Sequence, residues 1–322
     1  MRKSWFKLLL SVVLLFVLIR IVEIRSIVDS LLQVKGLYIT GALLLLIPNI
    51  LLQWYKWHFL VRLKHPDAPF IQTISSLLSG MTLGLATPGR SGELGRAWFL
   101  PYKQKAALLT YTVVDKMYAF AALLMVGGFT LIYSLNVYYS IHTGVLLPFV
   151  VVYAGIFIVT SMTILNPQSV TGYIADRKWK ILQQERVRQL LAELLRINRA
   201  VSLKIFIISV AFVLVYFIQF YILVCAFERI EFLPGMAAVA SVLLCNVAVP
   251  FFFGNLGIRE SAAVFFLGHL NVSMGAAFNS ALLLFTVNIL LPALIGCGLI
   301  AFGNTALPVR QKSNETHLPG PE

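Results

Sequence analysis

Charged residues are scarce in this chain, and their scarcity excludes a water-soluble protein. Asp, Glu, Lys and Arg make up 12% of its 322 residues, whereas 59% are Ala, Val, Ile, Leu, Met, Phe, Trp, Tyr or Cys. An ordinary soluble domain has about 25% charged residues, and it needs polar residues to cover the surface that faces water. Most of this chain must therefore face lipid, so the sequence indicates an integral membrane protein.

Cysteine is also scarce, and several common catalytic motifs are absent. The three cysteines, Cys225, Cys245 and Cys297, lie far apart in apolar runs, so they predict neither a disulfide framework nor a zinc site. The chain has no GxxxxGKS/T phosphate loop, no GxGxxG motif and no HExxH motif. We therefore expect no cofactor and no metal ion, and the residues give little support to an enzyme.

The charge balance is positive, with 26 Lys and Arg against 13 Asp and Glu and a net charge of +13. Cytoplasmic loops of membrane proteins carry an excess of Lys and Arg, so we attribute this balance to topology and expect no nucleic-acid partner. A membrane-spanning helix needs about 20 apolar residues, and six runs meet this length. The runs are Trp5–Val22, Leu37–Tyr55, Leu108–Leu135, Gly144–Leu165, Ile205–Phe227 and Met274–Phe302.

Two further apolar stretches, Phe70–Leu100 and Pro234–Leu270, contain proline, glycine and charged residues in their middles. If both enter and leave on the same side, as re-entrant hairpins, five of the 26 Lys and Arg residues lie outside and 21 lie inside. If the first stretch spans instead, 17 lie outside, against the positive-inside rule. We therefore favour six spans and two re-entrant hairpins. For the second stretch alone, the count of Lys and Arg hardly distinguishes a hairpin from a span, because a span there gives 20 such residues inside and six outside.

These segments predict an all-α polytopic membrane protein with both termini in the cytoplasm. Residues 1–304 form one integral-membrane domain, and residues 305–322 form a flexible cytoplasmic tail. Residues 1–136 and 140–304 repeat the order span, span, hairpin, span, but the halves begin on opposite sides. This is an inverted-topology repeat, which in transporters places the substrate near the midplane at interrupted helices. A chance order of eight apolar segments is the alternative.

The inner loop at residues 176–204 has the pattern of an amphipathic helix. Its apolar residues recur at positions i, i+3, i+4, i+7 and i+8, with Arg and Glu between them. They are Val187, Leu190, Leu191, Leu194 and Leu195. Such a helix lies on anionic headgroups, covers the ends of the spans or binds a soluble partner, and the pattern leaves these alternatives open.

The first interrupted stretch has a break followed by charged residues at three-residue steps. The structural residues are Pro88, Gly89 and Gly92, and the charged residues are Arg90, Glu93 and Arg96. On a helix that resumes at Ser91 the three charges share one face, with the carboxylate between two guanidinium groups. Each charge costs about 2.5–3.5 kcal/mol at the bilayer centre, so all three must face protein or water. Arginine binds phosphate through paired hydrogen bonds, which favours an anion site; arginines that extend to water from an inner loop are the alternative.

A second charged pair, Asp115 and Lys116, lies near the start of the third full span. Adjacent residues point about 100° apart on a helix, so the two side chains need different partners. We expect Asp115 to neutralise an arginine of the first hairpin. The alternative is that the pair only anchors the end of the span.

The second interrupted stretch repeats the combination of proline, glycine, arginine and glutamate. Its structural residues are Pro250, Gly254 and Gly257, and its polar candidates are Asn255, Arg259 and Glu260. Glu260 is the strongest single functional candidate, because an acidic residue among apolar neighbours needs a partner or a cavity. A neutral, protonated carboxyl packed at the membrane interface is the alternative.

Three segments, Thr87–Leu100, Val113–Tyr118 and Pro250–Leu267, resemble the signature regions of the lysylphosphatidylglycerol synthase transmembrane region, also called the flippase-like domain family. The resemblance covers roughly residues 5–305. Residues that match the first motif are Pro88, Gly89, Arg90, Gly92, Glu93 and Arg96, and those that match the third are Gly257 and Glu260. The middle motif is usually Glu-Arg in the family, whereas this chain has Asp115 and Lys116.

The resemblance implies a polytopic lipid-handling domain, best known for moving lysyl-phosphatidylglycerol between leaflets. The lysyl-transferring synthase is a separate soluble domain in that family, so we expect no lysyl transfer by this chain. We predict a flippase for an anionic or aminoacylated phospholipid, or another lipid phosphate, in a bacterial or archaeal cytoplasmic membrane. The expected substrate-binding residues are Arg90, Glu93, Arg96, Asp115, Lys116, Asn255, Arg259 and Glu260. The alternatives are a membrane enzyme or an accessory subunit that modifies a lipid-linked substrate, with a lipid synthase or glycosyltransferase as partner.

Overall fold

A computed structural model of the chain describes residues 29, 32–87, 89–137, 140–176, 185–248 and 257–302. The described residues are mostly helical and contain no β-strand. The helices are α1 (Gly36–Arg62), α2 (Phe70–Leu85), a 3₁₀ helix (Ser91–Phe99), α3 (Lys105–Val137), α4 (Thr143–Leu165), α5 (Pro167–Ala175), α6 (Glu185–Leu194), α7 (Arg199–Phe227), α8 (Phe232–Ala248), α9 (Ile258–Gly268), α10 (Met274–Phe285), a π-helical turn (Thr286–Leu290) and α11 (Leu291–Ala301).

Five helices among the described residues are long and apolar enough to cross a membrane: α1, α3, α4, α7 and the continuous helix Met274–Ala301. They contain 23 to 33 residues, compared with the roughly 20 that a span needs. The five coincide with five of the six predicted spans and confirm a polytopic all-α membrane protein. The sixth predicted span, Trp5–Val22, and the predicted tail at 305–322 lie outside the described residues.

Helix α4 illustrates why the solvent must be lipid. It is apolar around its whole circumference, and side chains such as Val145, Phe149 and Val152 are about 60% exposed, whereas Leu146 and Ile164 are its buried residues. A helix that is apolar on every side is stable only inside a large core or in a membrane. Because α4 exposes these side chains, it faces the hydrocarbon.

Each interrupted stretch contains two short helices, which we call its arms. In the first, α2 has 16 residues and is followed by the 3₁₀ helix; in the second, α8 has 17 residues and is followed by α9. The two arms of the first stretch pack closely because α2 has glycines at the contact. A Cβ atom on Gly80 would lie 2.5 Å from Arg96 Cβ, and one on Gly84 would lie 2.5 Å from Glu93 Cγ. Small residues on α2 therefore let the charged arm lie directly against it.

The two halves of the chain are interleaved. Helix α1 packs along α7, α2 packs against α11, and α3 packs against α8. At the first of these contacts Gln219 Nε2 donates a hydrogen bond of 2.8 Å to the carbonyl oxygen of Ala42. At the second, Thr82 Oγ1 donates to the carbonyl oxygen of Ala293 at 2.7 Å. Each hairpin thus packs on the last span of the opposite half.

Candidate functional site

The centre of the site is Asp115 on α3, which lies between two buried cations. Its Oδ2 is 2.8 Å from Arg96 Nη2 of the 3₁₀ helix, and its Oδ1 is 2.9 Å from Lys56 Nζ of α1. The three side chains are 2–7% exposed. The pairing agrees with the expectation that Asp115 neutralises an arginine of the first hairpin. A carboxylate and its partners taken out of water need each other, because an unpaired charge there is strongly destabilising.

Glu93 is the second carboxylate of the cluster, and it also has two cationic partners. It forms ion pairs with Arg90 and with Lys116 of α3. Adjacent Asp115 and Lys116 therefore do have different partners, as the 100° step predicts. The expectation that Glu93 lies between Arg90 and Arg96 is only half right. Arg96 turns to Asp115 instead, and Lys116 takes its place beside Glu93.

The backbone before the 3₁₀ helix explains how the charges reach these positions. Gly89 and Arg90 have φ angles of 60° and 56°, in the left-handed region that favours glycine. Thr87 Oγ1 accepts a hydrogen bond of 2.6 Å from Gly92 N. A Cβ atom on Gly92 would lie 2.2 Å from the carbonyl oxygen of Leu83, so only glycine fits. These observations support the structural roles expected for Gly89 and Gly92, whereas Pro88 lies outside the described residues.

Aromatic and hydroxyl side chains hold the buried cations in place. The Arg96 guanidinium lies 3.9 Å from the ring centroid of Trp57, a cation–π contact that suits its planar group. Arg96 Nε donates to Thr112 Oγ1 at 3.4 Å, and Lys56 Nζ donates to Ser209 Oγ at 3.1 Å. Lys56 and Arg96 are thus fixed by several neighbours, while the side chains of Arg90 and Lys116 are 27% and 41% exposed.

A cavity of about 320 Å³ adjoins the cluster. Its charged lining residues are Lys56, Arg90, Asp115 and Lys116, and its carboxamide lining residues are Asn49, Gln53, Asn246 and Asn288. The rest of the lining is largely apolar and comes from α3, α7, α8 and the π-helical turn, so both halves contribute. A largely apolar cavity with a few convergent polar groups is the usual form of a small-molecule site.

Sequence reasoning missed Lys56 and all four carboxamides. The predicted second span stops at Tyr55, one residue before Lys56, although α1 continues to Arg62. Asn49 and Asn288 lie in the middle of long apolar helices. A polar residue in the middle of an apolar run is itself a functional signal, and that signal was available in the sequence.

The second hairpin provides a separate buried pair rather than a part of this cluster. Arg259 and Glu260 are both completely buried and form an ion pair with each other. Glu260 Oε2 also accepts a hydrogen bond of 2.7 Å from Gly257 N, whose residue has a φ of 90° and begins α9. Neither Arg259 nor Glu260 lines the cavity. The prediction that the charged side chains of both hairpins converge is therefore not met in the described part of the chain, and the reason is local, since each glutamate is neutralised within its own half. The predicted Pro250, Gly254 and Asn255 lie outside the described residues.

The apolar helices and the buried charges beside a cavity define a class, a polytopic helical membrane protein with an internal polar site. Residues 4–296 match the family model described as the lysylphosphatidylglycerol synthase TM region. The chain belongs to this family, and the resemblance drawn from its motifs is confirmed. Comparisons with curated proteins and with solved structures gave no match. Family membership and the helical architecture together support a membrane function connected with lipids.

Proposed function

We propose that the protein is a lipid transporter that moves a phosphate-bearing headgroup between the leaflets of a bacterial or archaeal cytoplasmic membrane. One observation carries the proposal: four cations and two carboxylates meet beside a cavity among apolar helices. Burying so many charges opposes insertion into lipid, so a purely structural cluster is costly to keep. In this proposal the headgroup enters the cavity and the acyl chains stay in the bilayer.

The charges of the cluster favour an anionic ligand. Its cations are Lys56, Arg90, Arg96 and Lys116, and its carboxylates are Glu93 and Asp115, which leaves a net charge of +2. Arg90 and Lys116 are the most exposed of the cations, and both line the cavity. We assign to them the contact with the phosphate, and to Lys56 and Arg96 the positioning of Asp115 at the edge of the site.

The packing of the halves supports an inverted-topology repeat. A Cβ atom on Gly127 would meet the carbonyl oxygen of Ala240, and one on Gly296 would meet that of Leu78. Gly127 and Gly296 each lie 22 positions after the first residue of their long helix, α3 and Met274–Ala301. Ala240 and Leu78 each lie eight positions after the first residue of α8 and α2. Equivalent close approaches therefore join equivalent positions in the two halves.

The second arms of the hairpins repeat as well. Glu93 and Glu260 each follow, by three positions, a residue with positive φ, Arg90 in one half and Gly257 in the other. Transporters with inverted repeats alternate their access by rocking one repeat against the other around a fixed site. We propose the same movement here, with both hairpins re-entrant and both termini in the cytoplasm.

Transport by the reconstituted protein tests the proposal. The full chain is placed in liposomes that contain a fluorescent phospholipid, and quenching from outside follows its movement between leaflets. We expect Arg90→Gln and Lys116→Gln each to slow movement about tenfold, because each removes one charge-assisted phosphate contact. Either variant leaves Glu93 one cationic partner, so folding is preserved.

The control is Lys103→Gln, which removes an exposed lysine of the connection before α3 and is expected to transport like the wild type. Wild-type rates in both site variants would contradict the proposal. Mass spectrometry of the same liposomes is expected to show unchanged lipid, since the proposal involves no bond formation or cleavage. A new lipid product would instead identify a membrane enzyme.

A further inference from the structure

Besides its charged and its apolar residues, the wall of the cavity has uncharged polar groups. It carries the carboxamides of Asn49, Gln53, Asn246 and Asn288. Asn49 lies in the middle of α1 and is 1% exposed, and Asn288 lies in the π-helical turn and is 5% exposed. A π-helical turn inside an α-helix is frequently found at a functional site. Here it contributes a carboxamide to the cavity lining from the second half of the chain, while α1 contributes Asn49 from the first half.

Two of these carboxamides have a buried atom without a hydrogen-bond partner among the described residues. Asn49 Oδ1 accepts a hydrogen bond of 2.7 Å from Gln53 Nε2, but its Nδ2 has no acceptor. Asn288 Nδ2 donates to the carbonyl oxygen of Leu284 at 3.4 Å, but its Oδ1 has no donor. Buried polar atoms are normally satisfied, so each exception needs an explanation. Both residues line the cavity, and a spare donor on one with a spare acceptor on the other suits a hydroxyl group, which can both donate and accept.

The carboxylates of the site, in contrast, each form ion pairs with two cations. Asp115 has Lys56 and Arg96 as partners, and Glu93 has two cations of its own. Segment 249–256, outside the described residues, contains no Asp or Glu in its sequence. An ammonium group in the cavity would find no unpaired carboxylate among the described lining residues, and it would lie close to like charges, which repel it.

We infer that the cavity takes the headgroup of an anionic phospholipid that carries hydroxyl groups and no ammonium group, such as a glycerol phosphate or a sugar phosphate. The phosphate binds at Arg90 and Lys116, and the hydroxyls bind at Asn49 and Asn288. This inference rests on the proposed function and narrows its substrate class. The inference favours lipids with a polyol headgroup over aminoacylated lipids. An aminoacylated lipid could place its phosphate in the same site, but its amine would find no unpaired carboxylate partner among the described residues there.

Competition between lipids with identical acyl chains tests the inference. Purified full-length protein is mixed with equal amounts of phosphatidylglycerol, phosphatidic acid, phosphatidylethanolamine and lysyl-phosphatidylglycerol, and the bound lipids are counted by native mass spectrometry. We expect phosphatidylglycerol to exceed phosphatidic acid about fivefold, the effect of one or two added hydrogen bonds. The two amine-bearing lipids are expected to bind more weakly than phosphatidylglycerol.

Variants of Asn49 and Asn288 test whether these carboxamides cause the preference for phosphatidylglycerol. Asn49→Ala and Asn288→Ala are expected to remove the preference for phosphatidylglycerol over phosphatidic acid while phosphatidic acid still binds. Asn288→Asp adds a carboxylate to the cavity lining, so it is expected to shift the preference towards phosphatidylethanolamine. The control is Asn136→Ala, which removes an exposed carboxamide that donates to the carbonyl oxygen of Ile141 and lies outside the cavity lining.

The outcomes separate the inference from the function on which it rests. Equal or stronger binding of the amine-bearing lipids by the wild type would overturn the inference and leave lipid transport intact, as would an unchanged lipid preference in both alanine variants. Failure to bind any of the four lipids would overturn both. Soluble glycerol 3-phosphate in excess is expected to leave bound phosphatidylglycerol in place. If it displaces the lipid, the site binds a soluble phosphate and the lipid assignment is wrong.

Discussion

Arg90 combines a charge that the site needs with a backbone conformation that arginine disfavours. Its φ of 56° lies in the left-handed region, which costs a non-glycine residue roughly 1–2 kcal/mol. Residues held in such conformations cluster at functional sites, where the surrounding structure imposes them. Because Arg90 lines the cavity and contacts Glu93, we interpret its strain as the cost of placing a guanidinium there.

Replacing Arg90 by glycine distinguishes its effect on stability from its effect on transport. We expect Arg90→Gly to keep the wild-type melting temperature in detergent, since relief of the backbone strain offsets the lost ion pair, while lipid transport falls about tenfold. Ser140→Gly is the matched control, because Ser140 also has a positive φ, of 48°, but is exposed and away from the site. It is expected to raise stability and leave transport unchanged. Full transport by Arg90→Gly would show that the strain serves another purpose.

The residues of the site differ in how far the sequence could predict them. The spacing of Arg90, Glu93 and Arg96 and the adjacency of Asp115 and Lys116 were sufficient to predict buried ion pairs. Which cation meets which carboxylate depended on packing between α3 and the 3₁₀ helix, which no local pattern encodes. Lys56 and the carboxamides come from other helices, and their convergence is a property of the tertiary structure.

At the scale of elements, the first hairpin depends on glycines that allow close contact. The sequence predicts a break followed by a resumed helix, and the structure has a 3₁₀ helix instead of an α-helix. The Thr87 hydroxyl and the successive positive φ angles start this tighter helix, in which residues three apart lie in line. The three-residue spacing of the charges matches the 3₁₀ period, whereas the sequence was interpreted with the α-helical period of 3.6 residues.

We expect Gly92→Ala to unfold the first hairpin or to lower the melting temperature sharply. Its Cβ would lie 2.2 Å from the carbonyl oxygen of Leu83, a contact that backbone movement alone can relieve. Gly155→Ala in α4 is the control, because no atom lies within 4 Å of its added Cβ. That variant is expected to gain up to about 1 kcal/mol from helix propensity. Equal melting temperatures for the two variants would contradict the hairpin packing.

The amphipathic loop helix α6 is attached to the ends of the spans through Glu193. Glu193 Oε1 is 2.5 Å from Lys64 Nζ, and Tyr111 OH donates a hydrogen bond of 2.8 Å to Glu193 Oε2. Leu194 packs against the buried cluster that includes Ile197. These contacts favour the interpretation that α6 covers span ends over one in which it lies only on headgroups. Its remaining surface stays the place where we expect a partner synthase or glycosyltransferase to bind.

Protonation of Glu193 is expected to release α6. Burial raises the pKa of Glu193, but hydrogen bonds from Lys64 and Tyr111 outweigh it and hold that pKa below the ordinary value of 4.5. A carboxyl whose pKa is lower in the folded state stabilises that state fully above pH 4.5 and loses the effect as the pH falls below it. The protection factors of the amides in residues 185–194, which compare observed with intrinsic exchange at the same pH, should therefore fall at acid pH.

Glu193→Gln should lower the same protection factors already at neutral pH, because the amide lacks the charge that pairs with Lys64. Glu231→Gln provides a control, because Glu231 is exposed and follows the C-terminal end of α7, whereas α6 precedes its N-terminal end. It should leave exchange in α6 unchanged. If Glu193→Gln exchanges like the wild type, the ion pair does not hold the helix.

At the scale of the whole molecule, helices from residues 1–136 pack against helices from residues 140–304. The sequence predicted five helices that the structure confirms, because each is an apolar run long enough to span a membrane and lacks the central combination of proline, glycine and charged residues found in the two interrupted stretches. The contacts of each hairpin with the last span of the other half could not be predicted, since they depend on glycine approaches such as Gly296 against Leu78.

The proposed topology places positions 102 and 178 on the same side of the membrane, because the first hairpin re-enters and does not cross. Tyr102→Cys and Lys178→Cys, introduced singly into a chain without Cys225, Cys245 and Cys297, should both react with an impermeant thiol reagent only from the cytoplasmic side. Reaction from opposite sides would show that the first hairpin spans the membrane. The inverted repeat would then be wrong.

The most direct test of the account is to locate the headgroup of a bound lipid. A phospholipid with a photoreactive group on its headgroup, cross-linked to the full chain in nanodiscs, should label peptides of α3 and α7 that line the cavity, and an excess of unlabelled phosphatidylglycerol should suppress the labelling. The same group at the end of an acyl chain should label α4, which faces the hydrocarbon. Headgroup labelling confined to α4 and the loops, with none in the cavity helices, would contradict a lipid site between the two halves.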